Sequence, residues 1–427
     1  MPFGTETIMQ QAQRLRVPVT SGKHQRALDW LNFSVADVQT GVGPFLAAVL
    51  TAKGWNPAQI GTFLTCGGLL GVVLQGPAGA LVDATRHKRG LIAAGISCVV
   101  AASLLLAFGR GFLSVAAAQL LLSSAGPFIA PAITAITLGL VGRSAFDKRL
   151  GRNHGFDSAG NFCAAALMGL IGWRFGLSII FLVVPLLSVP AFLALNAIPA
   201  REIDHSRARG GSEQQADSAP SKLKILLRDR VLVGFAAAVF LFHFANAAML
   251  PQLGEMLARG RPRSAAPFMS ATVFVTQLVI ALTASAFGNL SAKWGPRPLL
   301  LFGFGVLPVR GVLYGLTNSV SLLIAIQVLD GVANSIFGVA SAVLVADRVR
   351  GSGHFNLAMG GLATVVGIGA ALSNGLAGLV TQAAGFRASF FALASIAVLA
   401  FLCLLLFVPD SHKLQARLPT RAALGEV

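Results

Sequence analysis

Residues 320–346 read VSLLIAIQVLDGVANSIFGVASAVLVA, an apolar run with a single carboxylate, Asp330, near its centre. A membrane-spanning helix needs about 20 predominantly apolar residues, so this run is long enough to cross a bilayer. A carboxylate at the centre of such a helix costs roughly 2.5–3.5 kcal/mol on insertion scales. Charges at that depth usually face a bundle interior or a water-filled path, where ions or substrates move. The stretch therefore predicts a membrane helix with a polar, functional centre.

The composition of the whole chain indicates the same environment. The 427 residues are only 11% charged, against about 25% in soluble domains, and the mean hydropathy is +0.73. The four cysteines stand apart inside apolar runs, without a CxxC pair, and are interpreted as small buried apolar side chains. The sequence therefore predicts a protein of the lipid bilayer, with no metal and no cofactor.

Twelve apolar stretches are candidates for membrane spans, six on each side of a polar segment. They are 28–52, 60–82, 90–109, 112–141, 158–175, 177–198, 231–257, 266–292, 299–317, 320–346, 357–384 and 388–408. We therefore predict an all-α membrane protein of twelve transmembrane helices. Its parts are an N-terminal tail (1–27), a six-helix bundle (28–198), a linker (199–230), a second six-helix bundle (231–408) and a C-terminal tail (409–427).

The basic residues predict how the chain is oriented. Of the 33 lysines and arginines, 25 fall in the tails, the linker and the loops on their side, seven fall in loops on the other side, and Arg310 lies inside a span. This asymmetry places both termini and the linker in the cytoplasm. It also explains the net charge of +17 by topology, so nucleic acid is not an expected partner.

The two halves resemble each other at a nearly constant offset. Residues 33–37 (FSVAD) match 242–246 (FHFAN), and Gly79-Ala-Leu matches Gly288-Asn-Leu, both at an offset of 209. Gln119 in the fourth span matches Gln327 in the tenth, at an offset of 208. Parallel repeats about an axis along the membrane normal are a transporter architecture, with the binding site near the bilayer midplane between the halves.

The loop after the second span carries the most specific motif. Residues 79–89 read GALVDATRHKR, with Gly79, Asp83, Arg86 and Lys88. The loop is similar to the G-x-L-x-D-R-x-G-R-K pattern of the major facilitator superfamily, although Ala, Arg and His replace three of the usual residues. With the twelve spans and the repeat, the chain resembles a bacterial efflux permease of that superfamily, its subfamily unassigned.

The resemblance implies a secondary transporter of the cytoplasmic (inner) membrane of a bacterium. It would work by alternating access, with a pseudo-twofold axis along the membrane normal. In such a protein the loop 79–89 is a gating element, in which Asp83 pairs with a basic residue in one conformation and separates in the other. The alternative is purely topological, because positive residues remain on the cytoplasmic side.

Helical spacing sorts the polar residues inside the spans, because residues three, four and seven apart share a face. Asp37 and Thr40 share a face of the first span, and Asp37 is a candidate for substrate or proton binding. Gln327, Asp330 and Asn334 form a stripe in the tenth span. The stripe either faces the transport cavity, which we favour, or makes a polar contact between helices.

The seventh and ninth spans supply the other titratable groups. His243 and Asn246 lie one turn apart, and His243 either carries protons or makes a neutral helix contact. Arg310 lies at a depth similar to that of Asp330, so we expect an ion pair, which leaves Asp37 for proton exchange. Glu255 is expected to be solvated or to form an outer gate, with a proton carrier at the midplane as the alternative. Further candidate cavity residues are Gln119, Ser123, Asn161, Gln252, Gln277 and Asn374.

These features favour a proton-coupled transporter that exports a neutral or cationic amphipathic small molecule, acting as a monomer. Proton-coupled uptake of a small metabolite is the alternative. A membrane-embedded enzyme is disfavoured because the sequence has no clustered nucleophile, base or metal ligands.

Overall fold

A computed structural model describes residues 22–40, 42–43, 45–109, 111–209, 228–349 and 355–409. The predicted N-terminal tail up to residue 21, most of the linker (210–227) and the C-terminal tail beyond residue 409 lie outside the described residues. The side chains of Asp37 and Thr40 also lie outside the description, although both residues belong to a helix.

The described chain is α-helical throughout, with only short 3₁₀ turns between helices. The helices are α1 (Gly22–Thr40), α2 (Leu46–Ala52), α3 (Pro57–Ala84), α4 (Lys88–Phe108), α5 (Phe112–Val141), α6 (Arg143–Phe175), α7 (Ile180–Asn196), α8 (Arg230–Asn246), α9 (Met249–Gly260), α10 (Pro262–Trp294), α11 (Pro296–Leu316), α12 (Val320–Arg348) and α13 (Phe355–Phe407).

Nine helical segments of the described chain are long and apolar enough to cross a membrane. One of them, within α13, is long enough for two spans, and Gly385 interrupts it with a non-helical φ of 84°. With α1 and the more polar α6, these segments agree approximately with twelve spans. The protein is therefore an all-α, multi-pass membrane protein.

Two predicted spans are broken helices. The first predicted span, 28–52, is divided between α1 and α2, and the seventh, 231–257, between α8 and α9. The break in the seventh falls at Ala247 and Ala248, where the N–H of Ala248 donates to the hydroxyl of Ser373 at 3.0 Å. Regular helix is therefore interrupted within both predicted spans, and the seventh remains one apolar stretch, Arg230–Gly260, that is long enough to cross a membrane.

The fifth predicted span is also too short. Helix α6 begins at Arg143 rather than at residue 158, because the polar residues that ended the apolar run are themselves helical. Their polar side chains are held by contacts with other helices, which an apolar-run criterion does not recognise.

The described chain forms two compact units. The first unit takes the described residues of 22–42, 73–164 and 181–209, and α4 packs on α5 there. The second takes those of 43–72, 165–180 and 228–409, and its core is built by α8 on α13, α10 on α12, and α11 on α12 and α13. The predicted division into bundles at 28–198 and 231–408 stays a prediction.

Candidate functional site

A buried ion pair lies at the centre of the second unit. The guanidinium Nη1 of Arg310 on α11 contacts Oδ1 of Asp330 on α12. Arg310 is 2% exposed and Asp330 is 9% exposed. The contact expected from their equal depth is therefore present, and each charge offsets the desolvation of the other.

The second oxygen of Asp330 is held by neutral donors. It accepts from Thr276 Oγ1 at 3.3 Å and from Gln327 Nε2 at 3.1 Å. Gln327 in turn accepts from the hydroxyl of Tyr314. The carboxylate is thus fixed by three helices, α10, α11 and α12, and its lone pairs are used within the protein.

The three residues of the predicted stripe, Gln327, Asp330 and Asn334, differ in their exposure and in their hydrogen-bond partners. Gln327 is 2% exposed and, like Asp330, makes contacts between helices in the described conformation, which is the alternative that the sequence left open. Asn334 is half-buried and donates to the backbone oxygen of Asp330 at 2.9 Å.

Arg310 has two further contacts beside its carboxylate. Its Nη2 lies 3.1 Å from Sδ of Met249, the first residue of α9. Its guanidinium carbon lies 5.6 Å from the ring centroid of Tyr314, within the range of a cation–π contact. The arginine therefore connects the helix break at α8–α9 to the Asp330 cluster.

His243 and Asn246 end α8 just before this break. The imidazole of His243 lies edge-on to the rings of Phe242 and Phe337, with centroid distances of 5.3 and 4.8 Å. Nε2 of His243 and Oδ1 of Asn246 are buried and have no hydrogen-bond partner among the described residues. Both atoms are enclosed in the described conformation, so a small molecule can reach them only after these helices move.

Gln252 and Glu255 of α9 are buried rather than solvated. Gln252 donates to Thr381 Oγ1 at 2.6 Å and is 2% exposed. Glu255 is 3% exposed, so the solvated alternative is wrong for the described conformation. Because the break precedes Pro251, Gln252 and His243 belong to separate helices.

Helices α3 and α13 approach each other closely on the predicted extracellular side. A Cβ atom at Gly61 would lie 2.2 Å from the carbonyl oxygen of Asn374, and one at Gly68 would lie 2.7 Å from Cβ of Ala371. The hydroxyl of Thr65 donates to the carbonyl of Ala371 at 2.7 Å. No side chain larger than hydrogen fits at Gly61 without separating the helices.

Helices α6 and α10 make an equivalent close contact in the same unit. A Cβ atom at Gly169 would lie 2.3 Å from Oγ of Ser270, and one at Gly172 would lie 2.3 Å from Cβ of Ala266. At these two crossings, segments of the two sequence halves pack tightly against each other on the predicted extracellular side.

The remaining candidates make local contacts. Gln119 Nε2 lies 3.5 Å from Ser123 Oγ, and the amide of Asn161 donates to Asp157 at 3.2 Å. Asn374 donates to the carbonyl of Ala370 at 3.1 Å, and Gln277 is half-buried.

The loop 79–89 combines a buried and an exposed charge. Lys88 is fully buried, and its Nζ donates to the carbonyls of Val82 and Thr85 at 2.7 and 2.9 Å, which closes the end of α3. Asp83 and Arg86 are exposed, and no described residue forms a salt bridge with Asp83. Lys88 therefore stabilises the turn, whereas a latch through Asp83 is not engaged here.

The sequence reasoning missed a buried ion cluster in the first unit. Asp29, two turns inside α1, binds Arg149 at 2.6 Å and Arg152 at 2.6 Å, and it is 3% exposed. Burial lowers the pKa of Arg149 despite the opposing attraction of Asp29, whereas the hydrogen bond to Asp29 raises the pKa of Arg152. The signal was present as two arginines three residues apart, which share a helix face.

The second unit has a related contact at the start of α8. Asp229 caps α8 by accepting from the N–H groups of Val231 and Leu232, and it binds Arg348 at 3.0 Å. Asp29 and Asp229 are 200 residues apart, and Arg149 and Arg348 are 199 apart. These offsets differ from the 208–209 of the sequence repeat, so the two ionic contacts are similar in kind but do not occupy matched repeat positions.

Comparison with known proteins gives one consistent result. A family model described as Major Facilitator Superfamily matches residues 29–307 and 262–425. Two proteins of Mycobacterium tuberculosis, from strains CDC 1551 and H37Rv and each named an uncharacterized MFS-type transporter, are 40% identical over 403 residues, which cover 94% of this chain and 96% of theirs.

Solved structures resemble the fold at low sequence identity. The nucleoside transporter NupG gives a TM-score of 0.74 at 14% identity and covers 90% of this chain and 98% of its own. An inward-facing, unoccupied bacterial homolog of the human lysosomal transporter Spinster gives 0.71 at 15%, covering 91% and 98%. A POT family transporter in complex with 5-aminolevulinic acid gives 0.70 at 13%, covering 91% and 96%. At these identities the likeness concerns the fold alone.

Proposed function

Because the chain belongs to the Major Facilitator Superfamily, we propose that it is a proton-coupled secondary transporter that exports neutral or cationic amphipathic small molecules by alternating access. The observation that carries the proposal is the buried pair of Arg310 and Asp330 in the middle of the second unit. It compensates one intramembrane carboxylate, Asp330, and so supports proton exchange at another, Asp37, with the buried Glu255 as the competing carboxylate.

The proton assignment follows from charge balance. A carboxylate already paired with a guanidinium stays ionised, because neutralising it would leave the arginine buried and unpaired. Asp37 lies in α1, at the position that Asn246 occupies in the repeated half, and its helix also ends shortly after it. Protonation of Asp37 in one conformation and its release in the other would couple transport to the proton gradient.

The substrate class follows from the polarity around α8. His243 Nε2 and Asn246 Oδ1 offer acceptor capacity beside Phe242 and Phe337. The guanidinium of Arg310 is engaged by Asp330 and does not attract a second anion. An amphipathic molecule with an N–H or O–H donor and no negative charge suits this surface.

Alternating access is supported by the two close helix crossings. The contacts at Gly61 and Gly172 are tight in the described conformation, and Asp83 in the loop on the opposite side has no salt bridge within the described chain. We assign these features to a state that is closed on the extracellular side with the cytoplasmic latch released.

The location and assembly belong to the same proposal. The distribution of basic residues supports a bacterial inner-membrane protein with both termini in the cytoplasm, acting as a monomer. Fusions of a cytoplasm-active reporter to each terminus would be active, and a periplasm-active reporter at either terminus would contradict the orientation.

Transport by purified protein in lipid vesicles tests the function. A thermal-shift screen of metabolites and drugs first supplies a ligand, because a compound that binds the folded state raises its midpoint. Vesicles with an imposed pH gradient then give the rate of ligand movement for the wild type, Asp37→Asn and the exposed control Glu202→Gln. We expect gradient-driven movement to be lost in Asp37→Asn alone while ligand binding persists.

Two results would contradict parts of the proposal. Undiminished gradient-driven transport by Asp37→Asn would remove the proton role of that residue. Accumulation of the ligand inside cells that express the protein, rather than its depletion, would replace export by proton-coupled uptake of a small metabolite, the alternative direction.

A further inference from the structure

An apolar groove lies on the outer surface of the second unit, away from the Arg310–Asp330 cluster. It has a volume of about 340 Å³ and runs between the start of α8 and the end of α13. Its lining residues are Arg230, Val233, Gly234, Ala237, Cys403 and Phe407. The α8 residues are spaced three, four and seven apart, so the groove follows one helix face for about 10 Å.

The floor of the groove depends on close packing of the two helices. A Cβ atom at Gly234 would lie 2.4 Å from Cβ of Phe407, and Sγ of Cys403 lies 3.7 Å from the carbonyl oxygen of Gly234. Val233 and Phe407 form exposed walls, with 43% and 56% of their surfaces accessible. Within a bilayer an open apolar groove of this kind is filled by hydrocarbon.

One end of the groove carries the positive charge of Arg230. Arg230 is exposed, and no described residue forms an ion pair with it. The adjacent carboxylate, Asp229, is occupied by two backbone N–H groups and by Arg348, so it does not neutralise Arg230. Arg228 is also exposed but does not line the groove.

We propose that this groove is a binding site for one anionic phospholipid, with an acyl chain between α8 and α13 and the headgroup phosphate on Arg230. The groove supplies the apolar surface along the helices, and Arg230 stands at the helix start, where the headgroups of the cytoplasmic leaflet lie in the predicted orientation. Basic residues at that level attract anionic lipids, and arginine binds phosphate through paired N–H donors. The site is independent of the transported substrate.

Native mass spectrometry of the full-length protein tests the site with two probes of identical acyl chains, phosphatidylglycerol and phosphatidylcholine. We expect the wild type to retain one phosphatidylglycerol in preference to phosphatidylcholine. Arg230→Gln should reduce that retention about fivefold, the effect of one basic residue near the membrane surface. Arg228→Gln, a change of the same charge outside the groove, is the matched control and should reduce it much less.

A second variant distinguishes the groove from general charge attraction. Ala237→Phe fills the apolar end and keeps every charge, and it should also reduce phosphatidylglycerol retention, with thermal unfolding confirming that the variant is folded. Equal loss in Arg228→Gln and Arg230→Gln would overturn the proposal. Unchanged retention in Ala237→Phe would also overturn it, as expected if a segment of the chain itself covers the groove.

Discussion

Arg310 and Asp330 form an ion pair that is almost completely buried, with exposures of 2% and 9%. Each residue also contacts a different neighbour, Arg310 through Met249 Sδ and Asp330 through Thr276 and Gln327. The pair therefore lies in a network of four helices rather than at an open surface. Removing either charge leaves the other buried and unpaired in an apolar region, whereas removing both leaves no unpaired charge. Single and double substitutions should therefore differ in their effect on stability.

Single neutralisation of this pair should destabilise the protein more than double neutralisation. Asp330→Asn or Arg310→Gln leaves one unpaired buried charge, at a cost of about 3–5 kcal/mol in the free energy of unfolding. The double variant removes both charges and should recover most of that loss. Thermal unfolding of the purified variants measures the effect, and a double variant as unstable as the sum of the singles would refute the coupling.

Gly61 should control closure of the predicted extracellular side. Gly61→Ala places a methyl group 2.2 Å from the carbonyl oxygen of Asn374, so α3 and α13 must separate, at a cost of about 1–3 kcal/mol for overpacking. We expect slower transport. We also expect an impermeant maleimide to label faster a cysteine that is introduced one helical turn later, as Thr65→Cys.

Gly76→Ala is the matched control for that substitution. Gly76 lies on the same helix, and a Cβ atom there meets no atom within 4 Å. Its replacement should leave labelling unchanged and stabilise the helix by up to about 1 kcal/mol. If both alanine variants label alike, the crossing at Gly61 does not control closure.

The sequence predicted the membrane helices from apolar length, and the agreement is best where no tertiary contact alters the helix. Residues 112–141 form α5 with the predicted bounds. The ion pair of Arg310 and Asp330 was also predictable, because two opposite charges at equal depth in consecutive spans have few other partners.

The break between α8 and α9 was only partly predictable from local sequence, because Pro251 cannot donate an N–H to the carbonyl of Ala247. Ala247 and Ala248 are strong helix formers, and the break is stabilised by Ser373, which lies 125 residues away in α13. The orientation of Gln327 and Asp330 was unresolved for a related reason. Helical spacing shows which residues share a face, but not whether that face meets a cavity or another helix.

Asp29 was missed because its charge stands at the end of an apolar run, where a solvated position is the usual interpretation. Its partners Arg149 and Arg152 were attributed to topology alone. Arg149 and Arg152 lie 120 and 123 positions after Asp29 in the sequence, and only the fold brings them into contact with it. Asp229 and Arg348 are separated by nearly the same number of residues as Asp29 and Arg149. Charges near the ends of spans therefore need to be compared between different loops.

Arg149 and Arg152 should contribute unequally to the stability of the first unit. The side chain of Arg149 is 4% exposed and that of Arg152 is 53% exposed, although both bind Asp29. Asp29→Asn leaves Arg149 buried without a carboxylate and should cost about 3 kcal/mol. Arg152→Gln loses a solvent-screened contact and should cost much less. Thermal unfolding ranks the two variants, and equal losses would contradict the assignment.

The contact between Asp229 and Arg348 should make part of the stability depend on pH. Burial raises the pKa of Asp229, but hydrogen bonds from Arg348 and from the N–H groups of Leu232 and Val231 outweigh it and hold the pKa below its ordinary value. A depressed pKa stabilises the folded state at pH values above the pKa of the unfolded state, which is about 3.9. That contribution is lost as the pH falls through the folded-state pKa.

Asp229→Asn isolates this contribution, because asparagine also caps a helix but carries no charge for Arg348. At pH 7 the variant should be less stable than the wild type by about 0.5–1 kcal/mol, the range for a partly exposed ion pair. The difference should shrink as the pH falls below about 4, since the wild-type carboxylate is then protonated. Thermal unfolding of both proteins between pH 3 and 7 measures the difference, with the exposed Asp83→Asn as control. If the stability difference between the two proteins grew on acidification, the pKa of Asp229 would be raised rather than lowered. The contact with Arg348 would then not be the cause of the shift.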